Sequence, residues 1–507
     1  VTPRAGATAP ARTSGPVVII HLLEEEHVDS QGWLVILGFL MIVVFMTLIM
    51  TKRLTPPLAL ILVPTVFGLF TGAGLGLGDM VMDGISSMAS TAALLMFAII
   101  YFGLMIDVGL FDKLVLGIMK ISGHNPVRVV VGTALLAMLV SLDGDGSTTF
   151  IIVTAAMLPV YQRMKLSPVV LTCVAGLANG TTNIVPWGGP TARAAAALKI
   201  NASDIFVPMV PSLAVGIVVV LVFSWHLGVM ERKRLQREGV IEWNADGAVI
   251  DAAREAAHSE RVRASKLKVG TRTLTRTEQP APTSESALTD TALDANRPTL
   301  RPKLLWFNLA LTVAIIVLLV LDKIPLPYLF MVGSAIALVV NFPRVKDQAH
   351  MIASHASSVI AVVSMVMAAA VLTGVLEGTG MVKAMSGWLV DVIPGEWGPW
   401  MAVLTGIISI PATFLVSNDA FYFGILPVLS GTAQHYGLEP VDMARASIVG
   451  QPVHLQSPLV PAILLLVSLA GVNLGDHHKK VLWRALVVSL VMLAVGMMVG
   501  SIPIGHA

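Results

Sequence analysis

Apolar runs long enough to cross a bilayer, parted by short polar loops, fill most of this 507-residue chain, and in each half two of them are interrupted by polar residues in mid-run. The uninterrupted runs predict spans at about 33–50, 55–76, 86–110 and 209–229, then about 304–321, 326–342, 351–376 and 480–502. Two further spans carry breaks: 167–200 contains PWGGPT at 186–191, and 441–470 contains QPVHLQSP at 451–458. Between the third and fourth span of each half lies another interrupted stretch, 126–163 broken at DGDGST (143–148) and 396–436 broken at SNDA (417–420). A straight helix across either break would bury Asp, Gly, Ser and Asn in hydrocarbon. A re-entrant hairpin is the cheaper solution, because non-helical backbone at membrane depth is tolerated only inside protein or beside water. The pattern therefore predicts an all-α polytopic membrane protein with about 10 transmembrane helices plus two re-entrant hairpins. From Pro159 to Pro190 and from Pro427 to Pro458 the distance is the same 31 residues (190 − 159 and 458 − 427), so the halves look like repeats.

Lys and Arg placement orients the chain. The linker 231–303 opens with ERKRLQRE and later carries RVRASKLK, which puts it in the cytoplasm as a basic and mostly disordered segment with one short helix near 247–268. Counting spans outward places Thr51-Lys52-Arg53, Lys113-Lys120-Arg128, Arg163-Lys165, Arg344-Lys346 and His477-His478-Lys479-Lys480 on the same face. Five spans per half is an odd number, so the repeats 33–230 and 304–502 are inverted and both termini lie outside. The first hairpin then enters from the cytoplasm and the second from outside, with their tips meeting near the midplane. Residues 1–32 are Pro-, Ala- and Thr-rich and lack the basic start and long apolar run of a signal peptide. They are expected to be disordered, and Glu24-Glu25-Glu26 fits a translated ribosome-binding stretch with the start at Val28.

Composition agrees and narrows the class. Hydrophobic residues make up 55% of the chain and charged ones 13%, with mean hydropathy +0.81, against about 25% charged in soluble proteins. The net charge of +2 offers nothing to nucleic acid, and the lone Cys173 excludes an internal disulfide or a CxxC metal site. Neither HExxH, GxSxG nor a phosphate loop is present, so an enzyme is not expected.

Gly- or Pro-interrupted membrane segments in corresponding positions of two halves point to the substrate site of a secondary transporter. Helix N-termini at a break attract anions, and exposed carbonyls suit cations. Asp143 and Asp145 place carboxylates in the first hairpin beside Ser147 and Thr148, and Ser417, Asn418 and Asp419 play the matching part in the second. The broken helices add Asn183, Gly188, Gly189, Thr191, Gln451, His454 and Ser457. Intramembrane carboxylates are costly, so Asp143, Asp145 and Asp419 are read first as metal- or proton-coupling groups and second as caps on local backbone N–H groups. His454 is either a proton carrier or a neutral hydrogen-bonding residue. Arg193 either draws in an anion or snorkels to the interface.

The strings SLDGDGSTTF (141–150), PWGGPTARAA (186–195), SNDAFYFG (417–424) and QPVHLQSPLVPA (451–462) resemble, in that order, the bacterial citrate–metal:proton symporter family (CitMHS) of the ion-transporter superfamily. The resemblance covers the membrane part and leaves out 1–32 and most of 231–300. It implies a cell-membrane carrier for the citrate–metal complex, coupled to protons. No resident cofactor is implied, and a divalent cation such as Mg²⁺ or Ca²⁺ travels within the substrate. It further implies a scaffold that forms a homodimer and an elevator-type transport domain made of hairpins and broken helices. Dicarboxylate carriers of the superfamily hold a Ser-Asn-Thr triplet at each tip. Here the places read Gly146-Ser147-Thr148 and Ser417-Asn418-Asp419, a departure that weakens sodium coupling and adds carboxylates. Asp143, Asp145 or Asp419 could complete the metal's oxygen shell; the same groups or His454 could carry the proton. The competing expectations are a proton- or sodium-coupled carrier of a dicarboxylate, gluconate or lactate, an anion channel, and the permease subunit of an ATP-driven importer.

Overall fold

The computed structural model describes residues 15–113, 117, 125–144, 146–238, 242–243, 249–250, 297–321 and 323–505, with side chains described from residue 31 and backbone alone at 242–243 and 249–250. The first half contains α1 (Gly15–Met50), α2 (Pro56–Phe70), α3 (Leu77–Asp107), the hairpin α4 (Pro126–Val140) and α5 (Gly146–Arg163), the broken helix α6 (Pro168–Thr182) and α7 (Gly189–Leu198), and α8 (Ala202–Arg237). The second half contains α9 (Leu305–Leu321), α10 (Leu326–Asn341), α11 (Val345–Ser354), α12 (Ala356–Gly378) and α13 (Met381–Val392), then the hairpin α14 (Met401–Leu415) and α15 (Leu426–Gln434). Its broken helix is α16 (Pro440–Ser447), α17 (Gln451–His454) and α18 (Pro461–Leu469), and α19 (Leu474–Met498) ends the fold. Proline within the first two positions starts α2, α4, α6, α7, α16 and α18, where its missing N–H costs nothing and its fixed φ suits the first turn.

The chain is a polytopic membrane protein, and among the described residues its membrane part is helical throughout. Eight helices among the described residues are long and apolar enough to cross a membrane, and two of these, Pro126–Asp143 and Gly395–Leu415, are the first arms of the hairpins. The ten expected spans thus become six long helices, the two broken helices, and the shorter α2 and α10 of 15 and 16 residues. At about 1.5 Å per residue α2 rises about 22 Å, less than the roughly 30 Å hydrocarbon core.

Three features differ from the sequence pattern. Helix α1 runs from Gly15, upstream of the expected span, because Pro16 and the Leu- and Glu-rich stretch after it favour helix; residues 1–14 lie outside the described residues. Helices α11 and α13 were not expected: Lys346, Asp347, Lys383 and Asp391 keep both from reading as spans, yet α13 buries Met381 and Met385 and packs on α1 and α15. The linker is ordered at its end, where Arg297 is buried and donates to the carbonyls of Ile106 and Asp107 and to Asp112. The helix expected near 247–268 lies outside the described residues, except that Val249–Ile250 pairs antiparallel with Glu242–Trp243.

Packing between the halves is reciprocal. Helix α2 lies on α12 as α10 lies on α3, and α3 and α12 lie on each other. In the same way α6 meets α19 as α16 meets α8, and α5 meets α18 as α15 meets α7, while α8 and α19 pair. The α3–α12 crossing is close enough to demand glycine on both sides. A Cβ on Gly84 would sit 2.2 Å from the Ala370 carbonyl oxygen, and one on Gly374 would sit 2.4 Å from that of Met80. Small residues let membrane helices approach in this way.

Candidate substrate site at four helix breaks

Each hairpin turns back on itself at its polar knot, and each turn is tied to a break in the broken helix of its own half. In the first hairpin a short turn at Ser141–Asp143 ends on Gly144, whose φ of 80° is left-handed and favours glycine. Trp187, in the break of the first broken helix, donates its indole N–H to the Leu142 carbonyl at 2.7 Å. A Cβ on Gly144 would lie 3.2 Å from the Trp187 ring. In the second hairpin α14 ends at Leu415 and leaves carbonyls at its C-terminus without helical partners. His454 Nδ1 donates to the Thr413 carbonyl and Ser457 Oγ to that of Phe414 at 2.6 Å, so two sequence-predicted residues cap this arm.

The second tip also reaches across to the first half. Arg193 Nε in α7 donates to Asp419 Oδ1 at 2.6 Å, with the side chains 25% and 10% exposed. This settles Arg193: it pairs with the opposite tip rather than snorkelling. Asn418 and Gln451 exchange amide hydrogen bonds of 3.4 and 3.3 Å, and Gln451 donates to the Tyr422 hydroxyl at 3.0 Å. Ser417 Oγ accepts from the Ala420 N–H and opens a π-helical turn over Ala420–Ile425, a form of helix found often at functional sites.

The first broken helix supplies the opposite charges of an ion site. Helix α6 ends at Thr182 with its carbonyls directed into the break, and α7 opens at Gly189 with unpaired N–H groups. Thr191 is buried and donates to the Ile184 carbonyl at 2.7 Å, which closes the break rather than facing a ligand. A Cβ on Gly188 would meet the Asn183 carbonyl oxygen at 2.2 Å, so the backbone passes tightly there. Asn183 Oδ1 and Asn179 Nδ2 are buried and have no partner within the described residues. Leaving such groups unpaired costs about 1–3 kcal/mol each, so this donor and acceptor, one helical turn apart, are suited to a polar ligand. Asn179 also lies 2.9 Å from where a Cβ on Gly146 would stand, beneath the first tip.

The sequence-predicted residues thus divide. Asp143, Ser147, Thr148 and Asn183 are half-buried at the first tip and break, while Asn418, Asp419, Gln451 and His454 are buried at the second. Asp145 lies outside the described residues. Among those residues no group of three or more His, Cys, Asp and Glu is placed to hold a metal ion. Sequence reasoning missed Asn179, although it sits four residues before Asn183 on the same helical face. It also missed Gln456, which donates to the Gly176 carbonyl, with its Oε1 3.1 Å from His477. His477 itself is fully buried and hydrogen-bonded to Thr172, so it belongs to the interior and not to the cytoplasmic charge cluster.

The family model described as citrate transporter matches residues 27–450. The chain is 45% identical to a citrate transporter of Bacillus subtilis (strain 168) over 92% of its own length and 99% of the relative's. It is 44% identical to a Mg(2+)/citrate complex secondary transporter of the same organism, over 93% and 99%. Among solved structures it is similar to the Alcanivorax borkumensis YdaH transporter, with 15% identity, a TM-score of 0.49, and 84% and 89% of the two chains covered. The chain belongs to the citrate transporter family and is a multi-pass secondary transporter of the cell membrane rather than an enzyme.

Proposed function

We propose that the chain takes up citrate as a complex with a divalent metal ion, coupled to the entry of protons. The observation that carries this reading is the Arg193–Asp419 ion pair, which ties the second hairpin tip to the start of α7, together with the buried Asn179 Nδ2 and Asn183 Oδ1, which have no partner among the described residues. Citrate needs donors for its carboxylates, which the α7 N-terminus, Ser147, Thr148 and the Asn179 amide N–H can supply. Binding Mg²⁺ or Ca²⁺ cancels most of its charge, and the metal arrives with citrate and water in its shell. Mg²⁺ keeps several waters and takes only one or two carboxylates, so Asp143 or the Asn183 carbonyl could finish the shell without a protein-built cage. The relative named for the Mg(2+)/citrate complex supports magnesium. His454 and the tip carboxylates are the groups able to carry the coupling proton. Reciprocal packing of the halves supports an inverted repeat. In that reading α2, α3, α10 and α12 form the scaffold of a homodimer, and hairpins with broken helices move as an elevator.

The test is radiolabelled citrate uptake into proteoliposomes under an inward proton gradient, with Mg²⁺, Ca²⁺, other divalent ions and a chelator compared. Uptake abolished by chelator and by a proton ionophore is expected. Chelator-insensitive uptake would reassign the carboxylates to ion coupling, and uptake of a dicarboxylate, gluconate or lactate in preference to citrate would replace the substrate.

A further inference from the structure

A cavity of about 410 Å³ opens beside the candidate site but contains none of its residues. Its size is that of a small-molecule pocket, roughly 300–1,000 Å³. Polar groups line it from both parts of the fold: Ser87, Ser90 and Thr91 on α3, Lys199 and Asn201 at the α7–α8 junction, and Lys323 in the α9–α10 loop. So polar a lining in a membrane protein marks a water-filled space, since charged side chains near the bilayer face water or one another.

Its side of the membrane follows from α8. Ala202 and Ser203, at the start of that 36-residue helix, line the cavity, and the basic run Arg232–Arg237 lies at its far end. At about 1.5 Å per residue the ends are about 50 Å apart. The cytoplasmic basic linker and the cavity are therefore on opposite faces, and the cavity opens outside.

Its depth follows from α3 and α7. Leu94 and Ala195 line its inner part, and the next residues inward, Leu95, Ala192, Arg193 and Gly189, line a recess of about 20 Å³ against α12. Those last two are the Asp419 partner and the first residue of α7. Ala195 is six residues (195 − 189) beyond Gly189, so a molecule in the cavity is nearly two helical turns, about 9 Å, above the break.

Lys199 closes α7 in a left-handed conformation (φ 55°) and is ion-paired with Glu377 at the end of α12. Lys323 is exposed and makes no ion pair among the described residues. Glu377 offsets the charge of Lys199, so Lys323 is the cation that an entering anion meets.

We propose that this cavity is an outer receiving site, in which Lys323 and the α3 hydroxyls hold a polycarboxylate or its metal complex before it passes to the helix breaks. The proposal rests on the citrate reading of the carrier and adds a second, external station to it. Charge at such a station raises local substrate concentration and entry rate rather than the turnover of the inner site.

Two measurements on the full chain in whole cells test it. The single cysteine, Cys173, is buried, so S90C provides one accessible thiol. A membrane-impermeant maleimide added outside should label S90C, and saturating magnesium citrate should slow that labelling severalfold. K323Q should raise the KM for uptake about two- to fivefold with Vmax kept, K323E should raise it further, and high salt should narrow the difference. Labelling of S90C from the inside alone, or an unchanged KM in K323E, overturns the receiving site. Absence of citrate uptake by the unmodified chain overturns the citrate reading instead, a separate outcome.

Discussion

The Arg193–Asp419 pair joins the second hairpin tip to the first half, and its strength can be worked from its geometry. At 2.6 Å and an effective dielectric of about 20, the attraction is 332/(20 × 2.6), or about 6 kcal/mol gross. Desolvation of two partly buried ions takes back most of this, and a hydrogen bond between charged groups retains about 1.5–3 kcal/mol net. At 1.36 kcal/mol per factor of ten, D419N should weaken apparent affinity for the citrate complex about 10- to 150-fold by loosening the tip. The R193Q change should do the same. Because both remove one interaction, R193Q/D419N should be no worse than either single variant. The assay is citrate uptake into proteoliposomes across a substrate titration for all four proteins, each first shown to be monodisperse by size exclusion. Losses that multiply in the double variant would refute the reasoning, since independent effects add in free energy. Wild-type uptake by D419N would remove Asp419 from the mechanism altogether.

The remaining expectations concern the scaffold, the first tip and the linker. G374A should destabilise the protein by about 1–3 kcal/mol, because its Cβ meets the Met80 carbonyl oxygen; a melting temperature equal to wild type would contradict the close crossing. G144A should cost about 1–2 kcal/mol for its left-handed backbone and slow transport by displacing Trp187, which uptake and tryptophan fluorescence would report. N179L removes the buried, unpartnered Nδ2 of Asn179, so the purified protein should melt no lower than wild type while losing citrate uptake. Retained uptake would show that this amide does not face substrate. Deletion of 251–290 should leave uptake within about twofold of wild type, since that composition cannot bury a core; loss of uptake by correctly inserted protein would give the linker a role.

Much of this protein was legible in the order of its residues. Hydrocarbon admits only helices with their backbone paired, so apolar length alone located the six long spans, and polar residues in mid-run located the breaks. Proline positions set where α4, α6, α7, α16 and α18 begin. The strings around those breaks named the family, because few proteins need Asp, Asn, Gly and Pro at four such places together. Helices α11 and α13 escaped notice because an amphipathic helix that packs sideways carries no spanning signal.

Tertiary structure alone decided which of the polar residues face one another. Arg193 and Asp419 are 226 residues apart, and nothing local distinguishes a cation that pairs across the fold from one that snorkels. Thr191, His454 and Ser457 looked like ligand contacts, yet each donates to a backbone carbonyl freed by a helix end. A break creates orphan groups that the sequence reveals, but whether a side chain or a substrate satisfies them depends on packing across the two halves. The same dependence left Asn179 Nδ2 and Asn183 Oδ1 without partners among the described residues and opened the outer cavity above them.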